Sequence, residues 1–206
     1  DVSEMMNRVD KLRFHDFIRA AACRVGQMLN VHSIASDVGI SDKTAKNWLR
    51  ILEASDIVFY LRPYTNKLLK RTVKQAKMYF FDTGLVADQT AYLTPEILAK
   101  GALSGAILEN YVVSEIRKTF YNTGRTGNLW YYRDKDQNEV DMLIEQNGHI
   151  YPIEIKRTSN PGSELVKAFE ILDKGPLPRG NGAIICTREK LTAVDAQNFV
   201  VPVWMI

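Results

Sequence analysis

At 206 residues, 46% hydrophobic and 25% charged, the chain has an ordinary globular composition and the length for one large domain or two small ones. Its formal net charge is only +3, so any nucleic-acid contact has to come from local clusters of cations, not from the total. No apolar run approaches the ~18 residues of a membrane span, no secretion signal is seen, and no GxxxxGK[ST] phosphate cradle occurs. A cytoplasmic chain with no membrane partner is expected. Cys23 and Cys186 belong to no CxxC pair, as fits free thiols in a reducing compartment. The abrupt helical start suggests part of a longer protein.

Residues 14–29 place Phe14, Phe17, Ile18, Ala21, Val25, Met28 and Leu29 at helical spacing. A short helix over 33–38, a turn at Gly39 and a helix from Asp42 to Ala54 with Ser41 as N-cap then make a helix-turn-helix unit. The outward face of the second helix carries Lys43, Thr44, Lys46, Asn47 and Arg50, residue types that contact phosphates and base edges. Two strands, IVFYLRPY and KMYFFD, flank a connection holding Lys67, Lys70, Arg71, Lys74 and Lys77. This is the layout of a winged helix with a cationic wing, suited to a DNA backbone. The competing reading is a docking module whose charges are merely solvated. Asp82-Thr83-Gly84 invites an aspartic-protease reading, but that chemistry needs two carboxylates sharing a proton. A single copy reads more simply as a strand end and helix cap.

The mixed segment 86–104, with Pro95 and Gly101, reads as a linker between a domain over 1–85 and a second over 105–206. The second opens with a helix, GAILENYVVSEIRKTF, whose buried stripe is Leu108, Tyr111, Val112, Ile116 and Phe120. Glu109 lies in line with Val112, Val113 and Ile116, either at the edge of that stripe or engaged in site chemistry. NLWYYRD is a strand, and Glu139–Lys156 is a hairpin turning on Asn147-Gly148. A two-residue loop there opposes Asp141 to Glu154 and Glu139 to Lys156, all on one face. Facing carboxylates repel unless a cation lies between them, and a hard divalent ion with oxygen ligands would serve. The alternative is a solvated face with a cross-strand Glu–Lys pair, against which the apolar flanks Ile153 and Ile155 speak. After the loop RTSNPG comes a helix over 163–173 with Leu165, Ala168, Phe169 and Leu172 inward, and then strands GAIICT and NFVVPVWMI. GAIICT reads as a strand covered on both faces. The half is a small α/β domain with helices flanking a mixed sheet. His15, His32 and His149 show no ligand spacing.

Glu109 on a helix, Asp141 on a strand and Glu154-x-Lys156 on the next resemble the PD-(D/E)xK nuclease superfamily, including its Holliday-junction resolvase-like members. The blocks NKLLKR, KMYFFDTGL, GAILENYVVSEIRK, WYYRDKDQNEVDMLI and YPIEIKRTSNPG further resemble one family of bacterial and archaeal AAA-type ATPases. Its C-terminal half is a domain of unknown function, a winged helix followed by a nuclease-like domain. The resemblance implies that Asp141, Glu154 and the carbonyl of Ile155 bind Mg²⁺ or Mn²⁺. Lys156 would orient and help deprotonate a water, and Glu109 would hold a metal-bound water or a second ion. It also implies DNA held by Lys43, Lys46, Asn47, Arg50, Lys67, Lys70, Arg71 and Lys74, and an ATP-binding portion outside these residues. Three functions compete: metal-dependent cleavage of DNA, an inert nuclease-fold module that regulates or localises the ATPase through DNA or protein, and a pure protein-interaction domain.

Overall fold

The computed structural model describes residues 11–65, 74–125 and 127–206. These form two compact units, one of the residues up to Tyr60 with Ala76–Asn110, the other of Leu61–Gln75 with Tyr111–Ile206. The architecture is mixed α/β, with a sheet of parallel and antiparallel strands. No helix among the described residues is long and apolar enough to cross a membrane.

The first unit begins with α1 (Lys11–Ala22), α2 (Val31–Val38) and α3 (Asp42–Ala54). The boundaries of α2 and α3 follow from local chemistry. Asn30 caps α2 by accepting from Ser33 N, Gly39 ends it at φ 68°, and Ser41 Oγ accepts from Thr44 N at 3.1 Å to start α3. Phe17, Ala21, Ile34, Ala45, Trp48, Leu49 and Leu52 are buried together, and Phe14 and Phe17 meet the Trp48 ring edge-on at 5.2 Å. The helix predicted over 14–29 stops at Ala22. Gly26 turns the chain at φ 73°, and residues 26–29 pass alongside β2 (Lys77–Phe80) through an antiparallel bridge of Met28 to Lys77, with Gly26 N bonded to Met78 O at 2.8 Å. Strand pairing outweighs helical spacing there. Strand β1 (Val58–Pro63) starts in this unit. Two further helices, α4 (Thr83–Gln89) and α5 (Pro95–Lys100), occupy most of the predicted linker 86–104. Asp82 caps the first, and Thr94 followed by Pro95 starts the second. Strong caps make these short helices despite their mixed polarity.

Helix α6 (Ser104–Asn122) begins in the first unit and continues in the second. Its buried positions are Ser104, Ile107, Asn110, Val112, Val113 and Ser114; of the predicted stripe Val112 is buried, while Leu108, Tyr111, Ile116 and Phe120 are only half-buried. The helix is covered on more than one side, so polar residues share its interior positions.

In the second unit the strand order runs from the end of β1 through β3 (Asn128–Arg133), β4 (Glu139–Gln146), β5 (His149–Lys156), β6 (Gly182–Cys186) and β8 (Asn198–Pro202) to β7 (Thr192–Ala193). Strands β3, β4 and β5 are antiparallel, whereas β1/β3, β5/β6 and β6/β8 are parallel. Strand β6 lies between two parallel neighbours and is buried along almost its whole length, as its apolar run predicts. Residues Ser163–Lys174 form a 3₁₀ helix, not the α-helix predicted. Three residues per turn align Val166, Phe169 and Leu172, and these pack with Leu143 and Ile150. A short 3₁₀ turn, Val203–Met205, ends the chain.

Candidate functional site

The β4–β5 hairpin carries the site. Asn147 (φ 52°) and Gly148 (φ 75°) both take the positive φ that a type I′ turn requires. Pairing then runs from Gln146↔His149 to Met142↔Ile153, the predicted register, and stops there. Asp141 and Glu154 are the next opposed residues and lie just beyond the end of the ladder. The N–H of Ile155 donates instead to Asp141 Oδ2 at 2.8 Å. Lys156 Nζ is 2.6 Å from Glu154 Oε1 and 3.4 Å from Asp141 Oδ2. Asp141 and Glu154 are buried, at 6% and 7% exposure, while the Lys156 side chain is 41% exposed. The second Glu154 oxygen, Oε2, is buried with no hydrogen-bond partner. The structure therefore brings together three of the four predicted catalytic residues, with Ile155 tied in through its N–H. Glu139 is paired instead with Arg133 on β3, at 2.8 Å.

The electrostatics follow from burial. Desolvation, then the Asp141 carboxylate, push the Glu154 carboxyl up to about 7, against the opposing pull of Lys156. Burial works to lower the Lys156 ammonium, but Asp141 and Glu154 outweigh it and the net shift is upward. Lys156 is thus an ammonium bridging two carboxylates.

Among the described residues no group of three or more His, Cys, Asp or Glu side chains forms a metal-ligand cluster. A divalent ion here would draw on two side-chain carboxylates, with backbone or water oxygens completing its shell. The fit is good on one count above all. Glu154 Oε2 is a carboxyl oxygen sequestered from water without a partner, and a hard cation would relieve the cost of ionising it there.

The fourth predicted residue is Glu109. It belongs to the first unit, where its Oε1 accepts from Lys77 Nζ at 3.0 Å and from the Tyr79 hydroxyl at 2.6 Å. Lys77, read from sequence as a wing cation, is 4% exposed and serves this ion pair. Sequence reasoning also missed Asn110, whose amide accepts from Phe80 N (2.7 Å) and donates to Phe80 O (3.1 Å) and Thr83 Oγ1 (2.8 Å). Its place one residue after Glu109 on an apolar helix was the available signal. Of the predicted DNA contacts, Lys43, Lys46, Asn47 and Arg50 are exposed on α3, and Lys74 is exposed. Lys67, Lys70 and Arg71 lie outside the described residues. Asp82 Oδ1 accepts from Gly84 N and Leu85 N at 2.7 and 3.3 Å, so the Asp-Thr-Gly motif is a helix cap.

An uncharacterized protein of Mycobacterium tuberculosis and one of Mycobacterium bovis are each 28% identical to this chain over 136 residues. The match covers 66% of this chain but only 30% of each relative, so the chain corresponds to a minor part of their length. No solved structure matches. Residues 1–95 match a domain of unknown function, DUF8612. Residues 104–206, which contain the whole hairpin site, match the domain of unknown function DUF4143. The chain belongs to the DUF4143 family.

Proposed function

We propose that Asp141, Glu154 and Lys156 form a PD-(D/E)xK site for Mg²⁺- or Mn²⁺-dependent cleavage of DNA phosphodiesters. The first unit would hold the DNA as a winged helix, and the chain would be the DNA-associated part of a longer AAA-type ATPase. The observation that carries this reading is the buried pair of carboxylates beyond the end of the β4–β5 ladder, one with an oxygen that has no partner. Asp141 and Glu154, with the Ile155 carbonyl, would hold the ion. It would supply charge neutralisation at a scissile phosphate and a lowered pKa for water. Asp141 is aimed by the Ile155 N–H. Lys156, held protonated by its two neighbours, can orient a water or grip a phosphate oxygen, but in this state it cannot take a proton. Exposed Lys43, Lys46, Asn47 and Arg50 would contact the duplex, with Lys67, Lys70, Arg71 and Lys74 on its backbone.

One observation favours a second reading, a nuclease fold without turnover that localises or regulates the ATPase. Glu109 is already neutralised by Lys77 and Tyr79, which leaves it no evident role toward a metal-bound water. The deciding experiment is Mn²⁺-dependent cleavage of plasmid, linear and branched DNA beside Asp141→Asn. Cleavage by the parent that falls at least about 100-fold in the variant supports the nuclease. DNA binding with neither cleavage nor Mn²⁺ uptake sinks it in favour of the inert module.

A further inference from the structure

A cleft of about 190 Å³ in the second unit is lined by Arg117, Phe120, Tyr121, Arg125, Gly127 and Leu129, with no acidic side chain among them. The Arg117 guanidinium lies over the Tyr121 ring, 5.1 Å from its centroid, and donates to the Tyr121 hydroxyl at 3.0 Å. Tyr121 is still 52% exposed, so the aromatic member of this pair is open to solvent. At Gly127 a Cβ would come within 2.6 Å of the Phe120 ring, so the wall of the cleft leaves no room for a side chain. The cleft lies at the C-terminal end of α6, where open carbonyls ordinarily disfavour anions. Here those carbonyls are engaged. Gly124 N donates to Tyr121 O, Arg125 N donates to Phe120 O, and Thr123 Oγ1 donates to Phe120 O, all at 2.9–3.0 Å. Arg117 and Arg125 bring two guanidinium groups to the lining.

The geometry points to a binding site for one unpaired nucleotide of a single-stranded nucleic acid. The base stacks on the Tyr121–Arg117 pair, and Arg125 takes the adjoining phosphate. Every base has a π-face, so such a platform is indifferent to sequence, and a planar guanidinium matches a phosphate in two directions. The site shares no residue with the carboxylate cluster and stands whether or not that cluster cleaves DNA.

Fluorescence anisotropy of a short oligothymidylate, titrated with the whole chain in EDTA, tests this apart from any metal chemistry. Tyr121→Ala and Arg125→Ala are each expected to weaken binding about tenfold, with Tyr121→Phe close to the parent. Shifts of the Arg117 and Arg125 side-chain NMR signals of the parent on adding the oligonucleotide provide a readout that needs no variant. The proposal is overturned if the parent does not bind, or if a Tyr121→Ala/Arg125→Ala double variant with unaltered melting binds as tightly as the parent. It is equally overturned if inorganic phosphate displaces the strand at equal concentration, since a free anion site would suffice.

Discussion

Two glutamates, Glu109 half-buried in the first unit and Glu154 buried in the second, show what a satisfied and an unsatisfied carboxylate look like in the same chain. Glu109 receives a lysine ammonium and a phenol on a single oxygen. Glu154 shares its one cation with a neighbouring carboxylate and keeps a bare oxygen away from water. The first arrangement meets the needs of the folded state. The second leaves a cost that folding alone does not explain, and such residues cluster where proteins do chemistry. The pair teaches that matching a family motif is not enough to assign a role. The acid on the helix and the acid on the strand fit the same pattern but are placed in opposite electrostatic circumstances.

The comparison can be broken most directly at Lys77. Lys77→Met removes the cation from a largely buried pair and is expected to cost up to about 3–5 kcal/mol, read as a lowered denaturant midpoint. A loss under about 1 kcal/mol would mean Glu109 does not depend on it. Glu154→Gln should act in the opposite direction. The Glu154 carboxyl is raised from its ordinary value to about 7, so the folded chain holds a proton that the unfolded chain gives up. Its contribution is therefore fully present below about pH 4.5 and is lost as pH rises through about 7. Above pH 7 the variant should be more stable than the parent by about 1–3 kcal/mol. That advantage should shrink steadily as pH falls toward 4.5, as melting curves across the range would show. A parent and variant with parallel pH profiles would remove the contrast between the two glutamates. The smallest effect is expected for Tyr79→Phe, which deletes one donor to Glu109 and leaves Lys77 in place. A loss of about 1–2 kcal/mol, with no change in DNA cleavage, would confine Glu109 to a structural role. A matching loss of cleavage would restore it to the proposed site.

What could be read from the sequence was what adjacent residues decide. Asn147-Gly148 dictates the turn, and the turn dictates the register that brings Asp141 and Glu154 together. Ser41 and Gly39 set the ends of α3 and α2 within a residue. What escaped was what distant residues decide. Lys77 reads as one more cation in a basic run, and only the chain 32 residues on supplies the Glu109 that explains it. Gly26 looks like a tolerated glycine in a helix until β2 is there to accept its N–H. The α6 face was misjudged because an amphipathic stripe assumes one covered side. Ser163–Lys174 has apolar residues spaced for either helix type, so its 3₁₀ form depends on packing against Leu143 and Ile150.

The backbone of β2 has a further consequence. Strand β2 ends the order of the sheet, and an outermost strand normally offers its free N–H and C=O groups to any passing chain. Here the Met78 N–H and C=O are taken by Gln27 O and Gly26 N, and those of Phe80 by the Asn110 amide, which imitates a peptide group. One loop and one side chain thus stand in for a missing neighbour. The border is sealed against self-association at Met78 and Phe80, and the seal at Phe80 depends on a single asparagine.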